Sequence, residues 1–176
     1  MGDVKDQIYG KVSGDIDFFK KIAVKIPGFK GYIERQERRD SDKLLREYLF
    51  DRFREIEGRI SQIQRDLINQ GQIQFVDDLE YSAIKIRTFA DRIKTASRGY
   101  AGLFDAVKIN EAELTQLYEY DATMLDLVDQ VNQAVDNVEA SIGTDGLPAA
   151  IRNLETKARD CLFVYDRREQ VVIGIQ

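Results

Sequence analysis

Histidine and tryptophan are absent from this 176-residue chain, cysteine occurs once and proline twice. Without histidine there is no side chain that titrates near neutrality when unperturbed, and no imidazole for a metal. The Glu-x-x-His motif by which di-iron helical bundles hold their metals is therefore impossible. The lone Cys161 can form neither an internal disulfide nor a thiolate zinc site. At a helical core spacing it reads as a small apolar residue rather than a nucleophile. No P-loop, dinucleotide fingerprint or calcium loop occurs, and Gly14-Asp-Ile-Asp17 is too short to be one. No cofactor is implied. No apolar run approaches the roughly 20 residues of a bilayer span. The shortage of cysteine and the lack of a signal peptide point to a reducing cytosol.

Positive charge is missing from one long stretch. Between Lys108 and Arg152 there is no lysine or arginine, while Glu111, Glu113, Glu119, Asp121, Asp126, Asp129, Asp136, Glu139 and Asp145 fall there. Residues 1–100 carry 20 lysines and arginines against 17 acids, a net +3, and residues 101–176 carry 6 against 14, a net −8. An acidic segment in a chain otherwise rich in arginine predicts internal charge complementarity between neighbouring helices. The overall charge of −5 disfavours nucleic acid, whose phosphates reward a basic surface.

What the chain has in abundance is helical periodicity. Leu114, Leu117, Asp121, Met124, Val128, Val131, Val135, Val138 and Ile142 alternate at steps of three and four, with Asp121 as the one polar member. Such a seam specifies a long helix packed lengthwise on partners. A second seam is Leu45, Leu49, Phe53, Ile56, Ile60, Ile63 and Leu67, in a helix running from about Tyr32 to Asn69. Gly71 sits where a left-handed C-terminal cap belongs, so the next helix, with Val76, Leu79, Ala83, Ile86, Ala90 and Ile93, returns antiparallel. It ends near Ser97 at the loop Arg98-Gly-Tyr-Ala-Gly-Leu-Phe. Asn110 with Glu113 three residues later has the layout of a capping box and starts the acidic helix. Gly143 stops that helix, and Asp145-Gly-Leu-Pro148 offers a cap and a first-turn proline to the last one, with Leu147, Ile151, Leu154, Ala158, Cys161 and Tyr165. The expected fold is all-α, an up-down-up-down antiparallel four-helix bundle over residues 29–170.

Two pieces flank it. Residues 1–26 form an N-terminal amphipathic arm, in which Val4, Ile8, Val12, Ile16, Phe19 and Ala23 recur at helical spacing before Pro27 breaks the helix. Lys20, Lys21, Lys25 and Lys30 suggest peripheral membrane contact, but Asp3, Asp6, Asp15 and Asp17 oppose it. The plainer expectation is an arm lying on its own bundle or on a second copy. Residues 171–176 are an apolar, β-prone tail that could add to a sheet edge in a partner, the plainer expectation being that it frays or caps an exposed groove.

Antiparallel packing gathers one set of residues at one end of the bundle. That end collects Arg35, Arg38, Arg39, Arg98, Arg167 and Arg168 with the acids Glu111, Glu113, Glu119 and Asp121, and with Tyr32, Tyr100, Phe104, Tyr118 and Tyr165. Guanidinium groups among aromatic rings suit a phosphate, a lipid head group or an acidic peptide. The same residues also suit a self-contained ion network. A carboxylate at Asp121 on the seam must be paired, protonated or solvated, because an unpaired buried charge is costly. It can therefore be a register-fixing ion pair or a functional group, and Asp42, on the extrapolated seam of the first long helix, carries the same ambiguity. The candidate binding residues are Arg35, Arg38, Arg39, Arg98, Tyr100, Asp121, Arg167 and Arg168, with no catalytic and no metal residue.

The segment Ile26-Pro-Gly-Phe-Lys-Gly-Tyr-Ile-Glu-Arg-Gln-Glu-Arg-Arg-Asp-Ser-Asp-Lys-Leu-Leu-Arg46 resembles the opening of an uncharacterised bacterial family of helical proteins. Arg98-Gly-Tyr-Ala-Gly-Leu-Phe-Asp105 is similar to a later signature of that family. The resemblance implies a bacterial, non-catalytic, all-helical protein and transfers no site. The expected function is that of a cytoplasmic, non-enzymatic interaction or scaffold bundle, in contact with a protein partner or a second copy and suited to an assembly at the inner face of a membrane. The alternative is a bundle that binds an anionic small molecule or lipid head group at its arginine and tyrosine end.

Overall fold

The computed structural model describes residues 13–32, 35–96 and 110–174, the side chains of residues 13–16, 35, 36, 111, 173 and 174 excepted. Among them are five α-helices and no strand: α1 (Ser13–Lys25), α2 (Arg35–Asn69), α3 (Val76–Thr95), α4 (Glu111–Ser141) and α5 (Leu147–Gly174). A single 3-10 turn, Ile73–Phe75, leads into α3. The all-α bundle is as the periodicity predicts.

Local signals place the ends of the helices. At the close of α2 the Gln72 N–H donates to the Leu67 carbonyl at 2.8 Å and the Gly71 N–H to the Ile68 carbonyl at 3.0 Å. This double closure needs a left-handed residue, and Gly71 supplies it at φ +73°. At the start of α4 the Asn110 side chain accepts the Glu113 N–H and the Glu113 carboxylate accepts the Asn110 N–H, both at 2.9 Å, which completes the capping box. The cap of α5 differs from expectation. The Gly146 carbonyl accepts the Ala150 N–H at 3.1 Å, so the cap position falls one residue beyond Asp145. Thr144 Oγ1 accepts the Gly146 N–H at 3.2 Å and holds the turn.

The four long helices form a square. α2 and α5 each neighbour both α3 and α4, so α3 and α4 stand at opposite corners. Chain direction alternates, and therefore the sides α2/α3 and α4/α5 are antiparallel while α2/α4 and α3/α5 run parallel. Ion pairs record the parallel sides. Arg59 on α2 reaches Asp136 at 2.6 Å and Glu139 at 3.0 Å late in α4, and Arg92 late in α3 holds Asp166 and Glu169 late in α5, each at 2.7 Å.

The core follows the seams. Every seam residue of α2 from Leu45 to Leu67 is buried, as are Leu117 through Val138 on α4 and Leu147 through Tyr165 on α5. Only Val76, Leu114 and Ile142, at helix ends, are half-buried. α4 buries more than its seam: Tyr118, Ala122 and Leu125 are buried on a second face. That face carries α1, whose Ile22 is buried with Ile26 just beyond it and whose Phe19 and Ala23 are half-buried. The buried stripe of α1 thus runs through Ile22 and Ile26 rather than through Ala23. Val4, Ile8 and Val12 lie outside the described residues, as does the side chain of Ile16. The acidic face of α4 is met largely within the chain, since Lys21 pairs with Asp126 and Lys25 with Asp129 at 2.5 Å.

The C-terminal boundary also moves. Val171 and Val172 continue α5 and Val172 is buried, because 165, 168 and 172 keep the heptad step. An added helical turn replaces the expected separate tail as far as residue 174. No helix among the described residues is long and apolar enough to cross a membrane.

Candidate functional site

Three seam positions of three different helices meet at the end of the bundle where α2 and α4 begin and α5 finishes. They are Asp42 on α2, Asp121 on α4 and Arg168 on α5, the last being the next heptad step after Tyr165. Among the described residues nearby, the other buried positions on these stripes are apolar or aromatic except Ser41. Arg168 donates from Nε to Asp121 Oδ1 at 2.6 Å and from a terminal nitrogen to Asp42 Oδ1 at 2.8 Å. Asp42 Oδ2 accepts Arg46 Nε at 2.7 Å from the next turn of α2. Asp121 is fully buried and Arg168 is 6% exposed. The remaining Asp121 oxygen accepts the Tyr32 hydroxyl at 2.5 Å.

Tyr32 brings the connector between α1 and α2 into the network. Its own N–H donates to the Tyr118 hydroxyl at 2.9 Å, and its ring stacks on Tyr118 with centroids 5.3 Å apart. Phe29 stands edge-on to Tyr32 at 5.4 Å, and Phe19 of α1 edge-on to Tyr118 at 6.0 Å. Ser41, fully buried at the head of α2, accepts the N–H groups of Lys30 and Gly31, each at 3.0 Å. Arg38 Nε donates to the Tyr32 carbonyl at 2.5 Å. Gly31 is required here: its φ is +92°, and a Cβ on it would lie 2.5 Å from the Tyr118 hydroxyl oxygen.

Burial dominates the electrostatics. It raises the Asp121 carboxyl above the usual Asp value, while the Arg168 guanidinium and the hydrogen bonds from Arg168 and Tyr32 pull it down. Burial, then the Asp121 carboxylate, hold the Tyr32 phenol well above the ordinary tyrosine value. For Arg168 burial acts to lower the pKa, but Asp121 and Asp42 more than offset it and keep the guanidinium charged. Both oxygens of Asp121 are occupied by protein donors, and Arg168 is spent on two carboxylates. The cluster is thus built to hold three helices and the connector in one register.

The other expected binding residues are distributed differently. Arg38 belongs to the network through the Tyr32 carbonyl. Arg39 is exposed on the first turns of α2. Arg167 faces outward, 5.2 Å over the Phe163 ring and 3.3 Å from Gln170. It borders a surface cleft of about 300 Å³ between α4 and α5, with Glu113, Gln116, Tyr120, Gln170 and Val171, which includes neither Asp121 nor Arg168. Arg98 and Tyr100 lie outside the described residues, as does the side chain of Arg35. Cys161 is buried in the core, where burial pushes its thiol well up and leaves it unreactive.

Sequence reasoning missed Ser41 and Arg46 as members of the network. A signal for the rest existed: carrying the α5 seam one step past Tyr165 lands on Arg168, so an arginine and two aspartates occupy core positions of three helices. A hydroxyl in an otherwise apolar stripe was the only mark of Ser41.

The fold and this cluster define a helical bundle locked by a buried ion-pair layer. Comparison with protein-family models, with curated proteins and with solved structures finds no match, so the functional reading rests on geometry.

Proposed function

We propose that this chain is a non-enzymatic helical-bundle interaction protein that acts by contact with another protein chain, a second copy included. The observation that carries this reading is that Asp121 and Arg168, the two most chemically conspicuous groups, saturate one another inside the bundle. A binding or catalytic carboxylate needs a free oxygen facing a substrate, and Asp121 has none. α1, by contrast, is a helix added to the outside of an already closed four-helix square, which suits attachment rather than chemistry. An assembly at a membrane surface is compatible with this reading, but Lys21 and Lys25 are already engaged by Asp126 and Asp129, which leaves α1 fewer cations for anionic lipid.

The test is the mass in solution of the full chain and of a chain starting at Phe29, by light scattering with native mass spectrometry. A multimer that falls to a monomer when residues 1–28 are removed supports the interaction reading. Monomers in both cases that carry a phosphate-containing ligand overturn it in favour of an anion-binding bundle.

A further inference from the structure

The contacts of α1 fall into two sets on either side of Pro27 and Gly28, bridged by the Phe19–Phe29 ring pair at 5.9 Å and by the Phe29 N–H donating to the Ile26 carbonyl at 3.2 Å. Before this point, α1 is held on the second face of α4 by Ile22 and Ile26, by Phe19 against Tyr118, and by the Lys21–Asp126 and Lys25–Asp129 pairs. After it, Lys30, Gly31 and Tyr32 are tied by hydrogen bonds to Ser41, Tyr118 and Asp121 of their own bundle. Pro27 and Gly28 themselves are exposed, and Gly28 adopts φ +87°. A fixed φ next to a glycine in the left-handed region makes a defined hinge between two separately anchored segments.

The seat is complementary to one kind of helix. It offers the apolar strip Tyr118, Ala122 and Leu125 with the carboxylates of Asp126 and Asp129 beside it. Its occupant must present large apolar residues four apart, as Ile22 and Ile26 are, with lysines on the adjoining row at the same spacing, as Lys21 and Lys25 are. Every copy of this chain carries both that helix and that seat. Gly14 weakens the intrinsic helicity of α1, and its packed face supplies the tertiary contacts from which most helical stability in proteins comes. Docking on a second copy reproduces the same contacts and alters only the hinge, which is what makes element exchange inexpensive in free energy.

We propose that α1 exchanges between copies, the arm of each chain turning about Pro27–Gly28 to occupy the α4 seat of its partner. This rests on the interaction reading above and names its partner as a second copy. Zero-length carbodiimide coupling tests it, because it joins a lysine amine to a carboxylate only where they touch. Unlabelled and 15N-labelled full-length chains are mixed in denaturant, refolded together and coupled, and the Lys21–Asp126 and Lys25–Asp129 linked peptides are read by mass spectrometry. Exchange predicts that about half of those linked peptides join one light and one heavy segment, as random pairing of two equal populations requires. Linked peptides of one isotope only overturn exchange, whatever the mass in solution, while a multimer seen with that result leaves the interaction reading standing.

A reciprocal charge reversal gives an independent answer. One chain carries Lys21→Asp and Lys25→Asp, the other Asp126→Lys and Asp129→Lys. Each alone mismatches arm and seat, and refolding the two together restores both contacts only across chains. Recovery of a heterodimer supports exchange, and its absence under conditions where the unaltered chain refolds opposes it.

Discussion

The two ends of this bundle are built on opposite principles. Toward the α2–α3 turn, the layers are aliphatic: Ile60, Ile63 and Leu67 on α2 face Leu79 and Ala83 on α3, with Val135 and Val138 on α4 and Leu147 and Ile151 on α5, all buried. Toward the start of α2, the same heptad positions hold Asp42, Asp121 and Arg168, with Tyr32 and Ser41 threaded among them. Apolar layers are interchangeable, since any register that buries them gains roughly 25 cal/mol per Å². A buried carboxylate and guanidinium tolerate one register only, because a slip leaves each without its partner. One end therefore supplies cohesion and the other supplies uniqueness, including the docking of the connector.

The comparison breaks most severely at Arg168. Arg168→Met leaves Asp121 buried beside an apolar side chain and is expected to cost about 4 kcal/mol in urea denaturation. A loss under about 1 kcal/mol would mean that the layer is solvated and that the contrast between the two ends is false. At the aliphatic end, Ile60→Ala opens a cavity and is expected to cost about 3 kcal/mol. The two variants differ in what else moves. Removing Arg168 should disturb the Tyr32 and Tyr118 ring signals in NMR spectra, whereas Ile60→Ala should leave them in place.

Much of this division is legible in the sequence. The four seams, the left-handed turn at Gly71 and the capping box of Asn110 and Glu113 are local patterns, and local patterns survive folding because the residues that satisfy them lie within a turn or two. Asp121 is recognisable as a fault for the same reason. Its pairing is harder to read: the α5 seam carried past Tyr165 lands on Arg168, but Arg168 and Tyr32 lie 47 and 89 residues away and five other arginines compete for the same end of the bundle. The second buried face of α4 was also unread. Tyr118, Ala122 and Leu125 stand off the seam and acquire meaning only once α1 is known to lie there. The order of helices around the square depends on which face each helix turns to which neighbour, and heptads shared by four helices do not encode that.

The glycines sharpen the contrast at smaller scale. Gly31 and Gly71 both have positive φ, but a Cβ at Gly31 meets the Tyr118 hydroxyl and the Phe19 ring, whereas one at Gly71 meets nothing within 4 Å. Gly71→Ala should cost about 1 kcal/mol from backbone strain alone. Gly31→Ala should cost about 2 kcal/mol, since strain and collision add. Equal losses in thermal unfolding would mean that the connector yields easily and is not clamped.

The smallest expected effect is the most selective. Tyr32→Phe deletes the hydroxyl that serves Asp121 and should cost about 1 kcal/mol near neutral pH. Its signature is the alkaline limb of the stability curve. The folded-state pKa of Tyr32 is raised well above the free value by burial and by Asp121. In the unfolded chain Tyr32 loses its proton near pH 10 while the folded chain retains it, so the folded state then binds more protons and stability falls as pH rises. Below about pH 10 both states are protonated and the contribution is complete. Tyr32→Phe should therefore be less steeply destabilised than the unaltered chain between about pH 10 and 11, the two stabilities converging as pH rises. Parallel curves over that range would place the Tyr32 hydroxyl in contact with water, and with it the ionic layer that gives this end of the bundle its single register.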